Sequence, residues 1–279
     1  MCYHIGMRRS FRILAGLLVS VCSLPAQFVA FNDIGPGPGT SSNATLYSLS
    51  APVSGALRNA TNGSSLPVSV AVTGSGTVAS ITGDNPDPGT PAYTVFSSYV
   101  DFAGSGTVAY EVAGASAVLT YSFSGLNPAG EYNFQGTAIR GDSSYVNRWT
   151  LFEINGAVGF TSRHTSGTLT NGASTPGIAA NQVAVNTGWN NSGDLAWWEH
   201  IKPSPAGTFT VSSKQYLGTV PGGSSAGTKS YAMSGFRLEE GGVYSGPTNV
   251  PVPVQLTNTV PNSINGLKTV VIIMMENHD

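Results

Sequence analysis

The densest gathering of aromatic and polar side chains in the sequence is Trp197-Trp198-Glu199-His200, with Trp189 shortly before it. Indole faces stack on pyranose rings, while a neighbouring carboxylate, amide or guanidinium fixes the orientation of a sugar. On a strand, Trp197 and Trp198 point to opposite faces. One of them then belongs to the core, and the other is either exposed to a ligand or folded under a loop. A second set, Arg140, Asp142, Tyr145, Arg148 and Trp149, reads either as a polar binding loop or as an Arg–Asp surface pair. From these groups Trp197, Trp198, Tyr145 and Arg148 are the candidate ligand-binding residues, and no catalytic residue is assigned among them.

Other motifs carry less chemistry than their strings suggest. Gly223-Ser224-Ser225-Ala226-Gly227 matches a nucleophile elbow, but it sits in a Gly/Ser loop, and the only later histidine is His278. Asp84 and Asp87 in Gly83-Asp84-Asn85-Pro86-Asp87-Pro88-Gly89 supply oxygens for a structural calcium ion or else a proline-stiffened turn, without the spacing of an EF-hand loop. His164 and His200 stand alone, with no HExxH pattern.

The elements that hold these residues follow from composition. Charged residues are 9% of the 279, against roughly 25% in an average soluble domain, while Gly (35) and Pro (17) are abundant and hydrophobic residues reach 41%. This excludes a coiled coil or helical bundle and argues against disorder, because the chain has enough apolar surface for a core. Residues 1–26 read as a secretory signal peptide, with Arg8, Arg9 and Arg12 leading into the apolar run Ile13 to Leu24. That run is shorter than the about 20 residues a bilayer span requires. The protein is therefore expected to be secreted or periplasmic, without a membrane span. Both cysteines, Cys2 and Cys22, fall in the removable segment, so no disulfide framework is expected. Removing three arginines from the 12 basic residues leaves 9 against 14 acidic ones, a net charge of −5 that disfavours nucleic acid as a partner.

Residues 27–240 form a succession of short apolar or alternating runs broken by Gly, Pro, Asn, Asp and Ser, among them Val68 to Val72, Val118 to Phe123, Tyr132 to Ile139, Trp149 to Ile154 and Tyr231 to Leu238. Such spacing predicts an all-β fold, an antiparallel β-sandwich of jelly-roll type, with no helical periodicity. Asn127-Pro128-Ala129-Gly130 predicts a turn and Asn155-Gly156 a two-residue hairpin. Residues 241–265, with Pro247, Pro251, Pro253 and Pro261, read as an extended linker. Residues 266–279 then contain the uninterrupted run Thr269 to Met275, the pattern of a strand buried on both faces of a parallel sheet. Its partner strands are expected beyond Asp279, making this chain the N-terminal part of a longer one with a truncated α/β domain.

The segment Lys268 to Asp279, KTVVIIMMENHD, resembles the opening strand of the phosphoesterase family of bacterial phospholipases C and acid phosphatases, relatives of alkaline phosphatase. The resemblance covers these 12 residues and implies that Glu276 and Asn277 belong to a divalent-metal and phosphate site. It implies a phosphate-ester substrate for the full-length protein and no activity for this part alone. The physical reading agrees, since ligands bind at the carboxyl ends of strands in open α/β sheets and oxygen donors suit a hard cation that polarises a phosphoryl group. The region from about Ala117 to Glu240 is similar to jelly-roll, galactose-binding-like modules of secreted bacterial proteins. The similarity rests on Leu119 to Tyr132, Asn147 to Gly156, Pro205 to Val211 and Tyr231 to Leu238. This implies a polysaccharide or cell-surface ligand for the module, or a structural spacer.

Overall fold

Short runs rich in β-branched and aromatic residues, each bounded by turn formers, fold as strands throughout this region. The computed structural model describes residues 27–34, 45–47, 53–172, 175, 177–222 and 227–242. The fold is an all-β sandwich of two sheets. One has the order β2 (Thr45–Tyr47), β1 (Val29–Ile34), β14 (Gly235–Glu240), β6 (Tyr132–Thr137), β11 (Ala196–Lys202) and β8 (Gly159–His164). The other runs β3 (Val53–Arg58), β4 (Ser65–Gly83), β5 (Gly104–Ser124), β12 (Phe209–Gln215), β7 (Trp149–Asn155), β10 (Gln182–Asn186) and β9 (Leu169–Thr170), with β13 (Lys229–Ala232) also on β5. Pairing is antiparallel except between β1 and β2. From β5 onward the chain crosses repeatedly from one sheet to the other, so each sheet depends on the other for its register.

The core between the layers is aromatic. Phe123 stacks on Phe209 at 4.8 Å and meets Phe236 edge-on at 5.1 Å, while Phe134 packs 5.9 Å from Trp198. Offset and edge-on rings favour such contacts beyond simple area burial. The inner positions of β6, Tyr132 and Phe134, are spaced two apart, as the pleat requires. The long β4–β5 ribbon shifts register between Ser75 and Thr77. Gly76 sits there at φ +76°, where an added Cβ would lie 2.6 Å from the Ala117 Cα, so only glycine admits the close approach.

Two local expectations need revision. Asn155-Gly156 does not close a hairpin, because β7 and β8 lie in different sheets. Gly156 turns the chain at φ +77°, but Val158 N–H then donates to the Lys202 carbonyl at 2.8 Å, and β8 pairs with β11 across the sandwich. Turn chemistry specified the reversal and tertiary pairing chose the partner. A helix is also present where no helical periodicity is visible: α1 (Pro91–Phe96). Thr90 caps it, its hydroxyl accepting the Tyr93 N–H at 3.3 Å, and Pro91 occupies the first turn. At six residues α1 is too short to show a period. It holds by packing Ala92, Val95 and Phe96 against Phe31, Phe102, Ile139 and Leu195 on the outer side of the six-stranded sheet. Replacing the cap, Thr90→Ala, is expected to lower stability by about 1 kcal/mol, read as a lower urea midpoint with an unchanged slope. An unchanged midpoint would show that packing alone holds the helix.

Among the described residues no helix is long and apolar enough to cross a membrane. The signal segment (1–26), most of the linker (243–265) and the segment 266–279 with Glu276 and Asn277 lie outside the described residues, as do residues 223–226.

Candidate functional site

The alternation of β6, β11 and β14 sends their remaining side chains to the outer face of the six-stranded sheet. Asn133, Gln135 and Thr137 of β6, Trp197 and Glu199 of β11, and Arg237 and Glu239 of β14 are all buried there. They are joined across strands. Arg237 Nη1 donates to Gln135 Oε1 at 3.2 Å and to Glu239 Oε2 at 2.8 Å, and Gln135 Nε2 donates to Asn133 Oδ1. Asn133 Nδ2 lies 3.5 Å from Glu199 Oε1, and Arg163 of β8 donates from Nε to Glu199 Oε2 at 2.7 Å. The Arg237 guanidinium also sits 5.9 Å over the Phe31 ring. Charge-assisted bonds of this kind fix side-chain planes and present donors and acceptors at set positions.

At its β8 edge this face becomes accessible. The Arg163 side chain is 34% exposed against 5% for Glu199, and Thr161, on the same face, is exposed. Next to it β11 is bulged between Trp198 and Ile201, with His200 in the left-handed region at φ +50°. A bulge re-aims the side chain it carries. His200 Nδ1 reaches Glu131 Oε2 at 2.7 Å, and Lys202 Nζ lies 3.4 Å from Glu131 Oε1. The His200 hydrogen bond, with help from Lys202, holds the Glu131 carboxyl below its usual range.

The tryptophan expectation is corrected by burial. Trp197 and Trp198 do point to opposite faces of β11, but Trp198 is fully enclosed in the core and Trp197 is only 3% exposed. Neither indole presents an open platform, because both faces of β11 are buried.

The second predicted group does come together, in the loop that leads into β7. The Arg148 guanidinium lies 3.2 Å from the centre of the Tyr145 ring and 5.7 Å from that of Tyr231, whose hydroxyl accepts a hydrogen bond from Arg148 Nη1. The Arg140 guanidinium lies 5.8 Å from the centre of the Tyr145 ring and is 3.9 Å from Asp142. Tyr231, far away in sequence, was not foreseen as a partner. The arrangement is a cation–π stack that rigidifies the loop, while Trp149 is buried with its indole N–H donating to the Val146 carbonyl at 3.0 Å. The Arg140–Asp142 pair is the half-exposed kind that contributes little.

A third cluster lies where α1 meets the sheet. Asp33 of β1 is buried, its Oδ2 accepts the Asp101 N–H at 3.1 Å, and burial pushes its pKa up to about 7; the backbone hydrogen bond opposes this and the Asp101 carboxylate adds to it. The nearby acidic turn is held by local hydrogen bonds. Asp84 Oδ1 accepts the Asn85 N–H at 2.8 Å, and the Asp87 carbonyl takes both the Thr90 N–H and its hydroxyl. Among the described residues no group of three or more His, Cys, Asp or Glu is placed to hold a metal ion.

Comparison with protein-family models, with curated proteins and with solved structures finds no match. The site must be read from its own chemistry. Sequence reasoning singled out Glu199 only as a neighbour of the tryptophans and missed Asn133, Gln135, Arg163, Arg237 and Glu239. The signal available was the strict alternation in Tyr-Asn-Phe-Gln-Gly-Thr and Gly-Phe-Arg-Leu-Glu-Glu, a pattern that ordinarily marks a solvated face.

Proposed function

We propose that residues 27–240 are a non-catalytic binding module of a secreted protein, and that its ligand, a glycan or other polyhydroxylated surface, meets the Arg163 edge of the six-stranded sheet. The observation that carries this reading is the Arg163–Glu199 pair. Glu199 holds the guanidinium through Nε at 2.7 Å, and the Arg163 side chain is 34% exposed on the face it shares with the exposed Thr161. A planar fork of donors held in one orientation suits vicinal hydroxyls or carboxylates. Screening the purified protein on immobilised polysaccharides is expected to find retention. Arg163→Ala should weaken it about tenfold or more, the loss of one charged hydrogen bond of 1.5–3 kcal/mol. Retention unaffected by Arg163→Ala would remove this edge from consideration, and absence of retention on every glycan would favour a spacer.

In the complete protein the module is proposed to position a metal-dependent phosphoesterase domain that opens with residues 266–279. The support is the resemblance of KTVVIIMMENHD, with Glu276 and Asn277 as oxygen donors to a divalent ion. Such an ion supplies charge stabilisation at phosphoryl oxygens. A chain extended past Asp279 is expected to release phosphate from p-nitrophenyl phosphate and to lose that activity on chelation or with Glu276→Gln. A reading frame that carries no α/β domain after Asp279 would overturn this part while leaving the binding reading intact.

A further inference from the structure

Where α1 ends and the chain runs on toward β5, a cavity of about 330 Å³ opens beside the turn that precedes the helix. Its size falls at the lower end of small-molecule sites, which run from about 300 Å³ upward. Pro86 and Val100 give it an apolar lining, and Tyr93 of α1 lines it as well while remaining 40% exposed. The polar lining comes from Asn85, Ser97, Ser98 and Asp101. Two of these are fixed by bonds to the backbone. Asn85 Oδ1 accepts the Phe102 N–H at 3.3 Å, and Asp101 Oδ1 accepts the Ala103 N–H at 3.0 Å. The Asp101 N–H in turn donates to the buried Asp33 carboxyl at 3.1 Å. Ser98 stands in the left-handed region at φ +72°, a conformation disfavoured for a residue with a Cβ and concentrated at ligand clamps.

What these bonds leave over defines the ligand. With its oxygen engaged, the Asn85 amide offers its NH2 group as a donor, and a single backbone N–H leaves the Asp101 carboxylate most of its acceptor capacity. The serine hydroxyls serve in either sense. A sugar hydroxyl is at once donor and acceptor, so neighbouring hydroxyls on one ring match an amide and a carboxylate that line the same cavity. The C–H face of that ring suits an aromatic side chain. We propose that this cavity binds a single hexopyranose unit, with Tyr93 packing on its ring and Asn85, Ser98 and Asp101 bonding its hydroxyls. The site uses none of the residues of the Arg163 edge, so the two readings stand or fall separately.

The test is an NMR titration of amide shifts in the purified full chain with the methyl glycosides of glucose, galactose and mannose, and with cyclohexanol as a ring of similar size that carries a single hydroxyl. At least one glycoside is expected to shift the amides of Asn85, Ser98 and Asp101 and to bind at least about tenfold more tightly than cyclohexanol. Asp101→Asn, which keeps an oxygen for the Ala103 N–H, and Tyr93→Ala should each weaken that glycoside about tenfold; the amide spectrum of each variant shows whether it is folded. Arg163→Ala should leave the shifts at these amides as they are. No shifts there with any of the glycosides, cyclohexanol binding as tightly, undiminished binding in either folded variant, or loss of the shifts in Arg163→Ala would overturn the proposal.

Discussion

Asp33→Asn is expected to stabilise the protein at pH 8 and to leave it unchanged at pH 4. Asp33 is buried, and its pKa is raised from 3.8 to about 7. A carboxyl raised on folding holds its proton in the native state after the unfolded chain has released it. Its contribution is complete below the unfolded pKa and is lost as pH rises through about 7. Over that window the raised pKa amounts to roughly 4 kcal/mol at 1.36 kcal/mol per unit. The neutral amide keeps an oxygen for the Asp101 N–H, now bonded at 3.1 Å, and carries no charge to desolvate. Glu131 acts in the opposite sense, since its lowered pKa gives stability that disappears as pH falls through the acid range. Urea midpoints of the parent and Asp33→Asn, taken from pH 4 to pH 8, should diverge as pH rises. Parallel profiles would show that Asp33 is ionised in the folded protein at all these values.

Arg237→Met should lower stability by about 3–5 kcal/mol, the usual penalty for leaving one member of a buried pair unmatched. Arg237 and Glu239 are both nearly inaccessible, 2.8 Å apart, and Arg237 also bonds Gln135. The double change Arg237→Met with Glu239→Leu should recover most of that loss, because apolar side chains of similar volume often replace a buried ion pair without penalty. A denaturation cycle over the two singles and the double isolates the coupling. A single variant within about 1 kcal/mol of the parent would mean that the pair is solvated and contributes as surface pairs do. The folded double variant then separates stability from function. If it no longer binds a glycan that the parent retains, the network orients Arg163 and Glu199 for binding; if it binds normally, the network serves the sheet alone.

Much of the fold is legible in the sequence, because two-residue alternation and turn residues are local signals. Val68 to Val72 lies in a strand as its pattern suggests, the run Tyr132 to Ile139 is a strand as far as Thr137, the run Tyr231 to Leu238 divides between β13 and β14 in different sheets, and Asn127 to Gly130 forms its turn with Gly130 N–H on the Asn127 carbonyl at 2.9 Å. The site was less legible. Tyr145 and Arg148 are close in the chain and were grouped correctly, but Tyr231 reaches them only through the pairing of β13 with β5. Glu199 depends on β8 and β6 for Arg163 and Asn133. No spacing in a single segment encodes such a contact.

What this sequence determined by itself is therefore its secondary structure class, since pleat alternation and turn chemistry act within a few residues. Only the tertiary structure decided which face of each strand is enclosed. Trp197 and Glu239 stand at positions that alternation alone assigns to solvent, yet both are buried. Burial and charge pairing are properties of strands brought together from distant parts of the chain, and they exist only once the two sheets have packed.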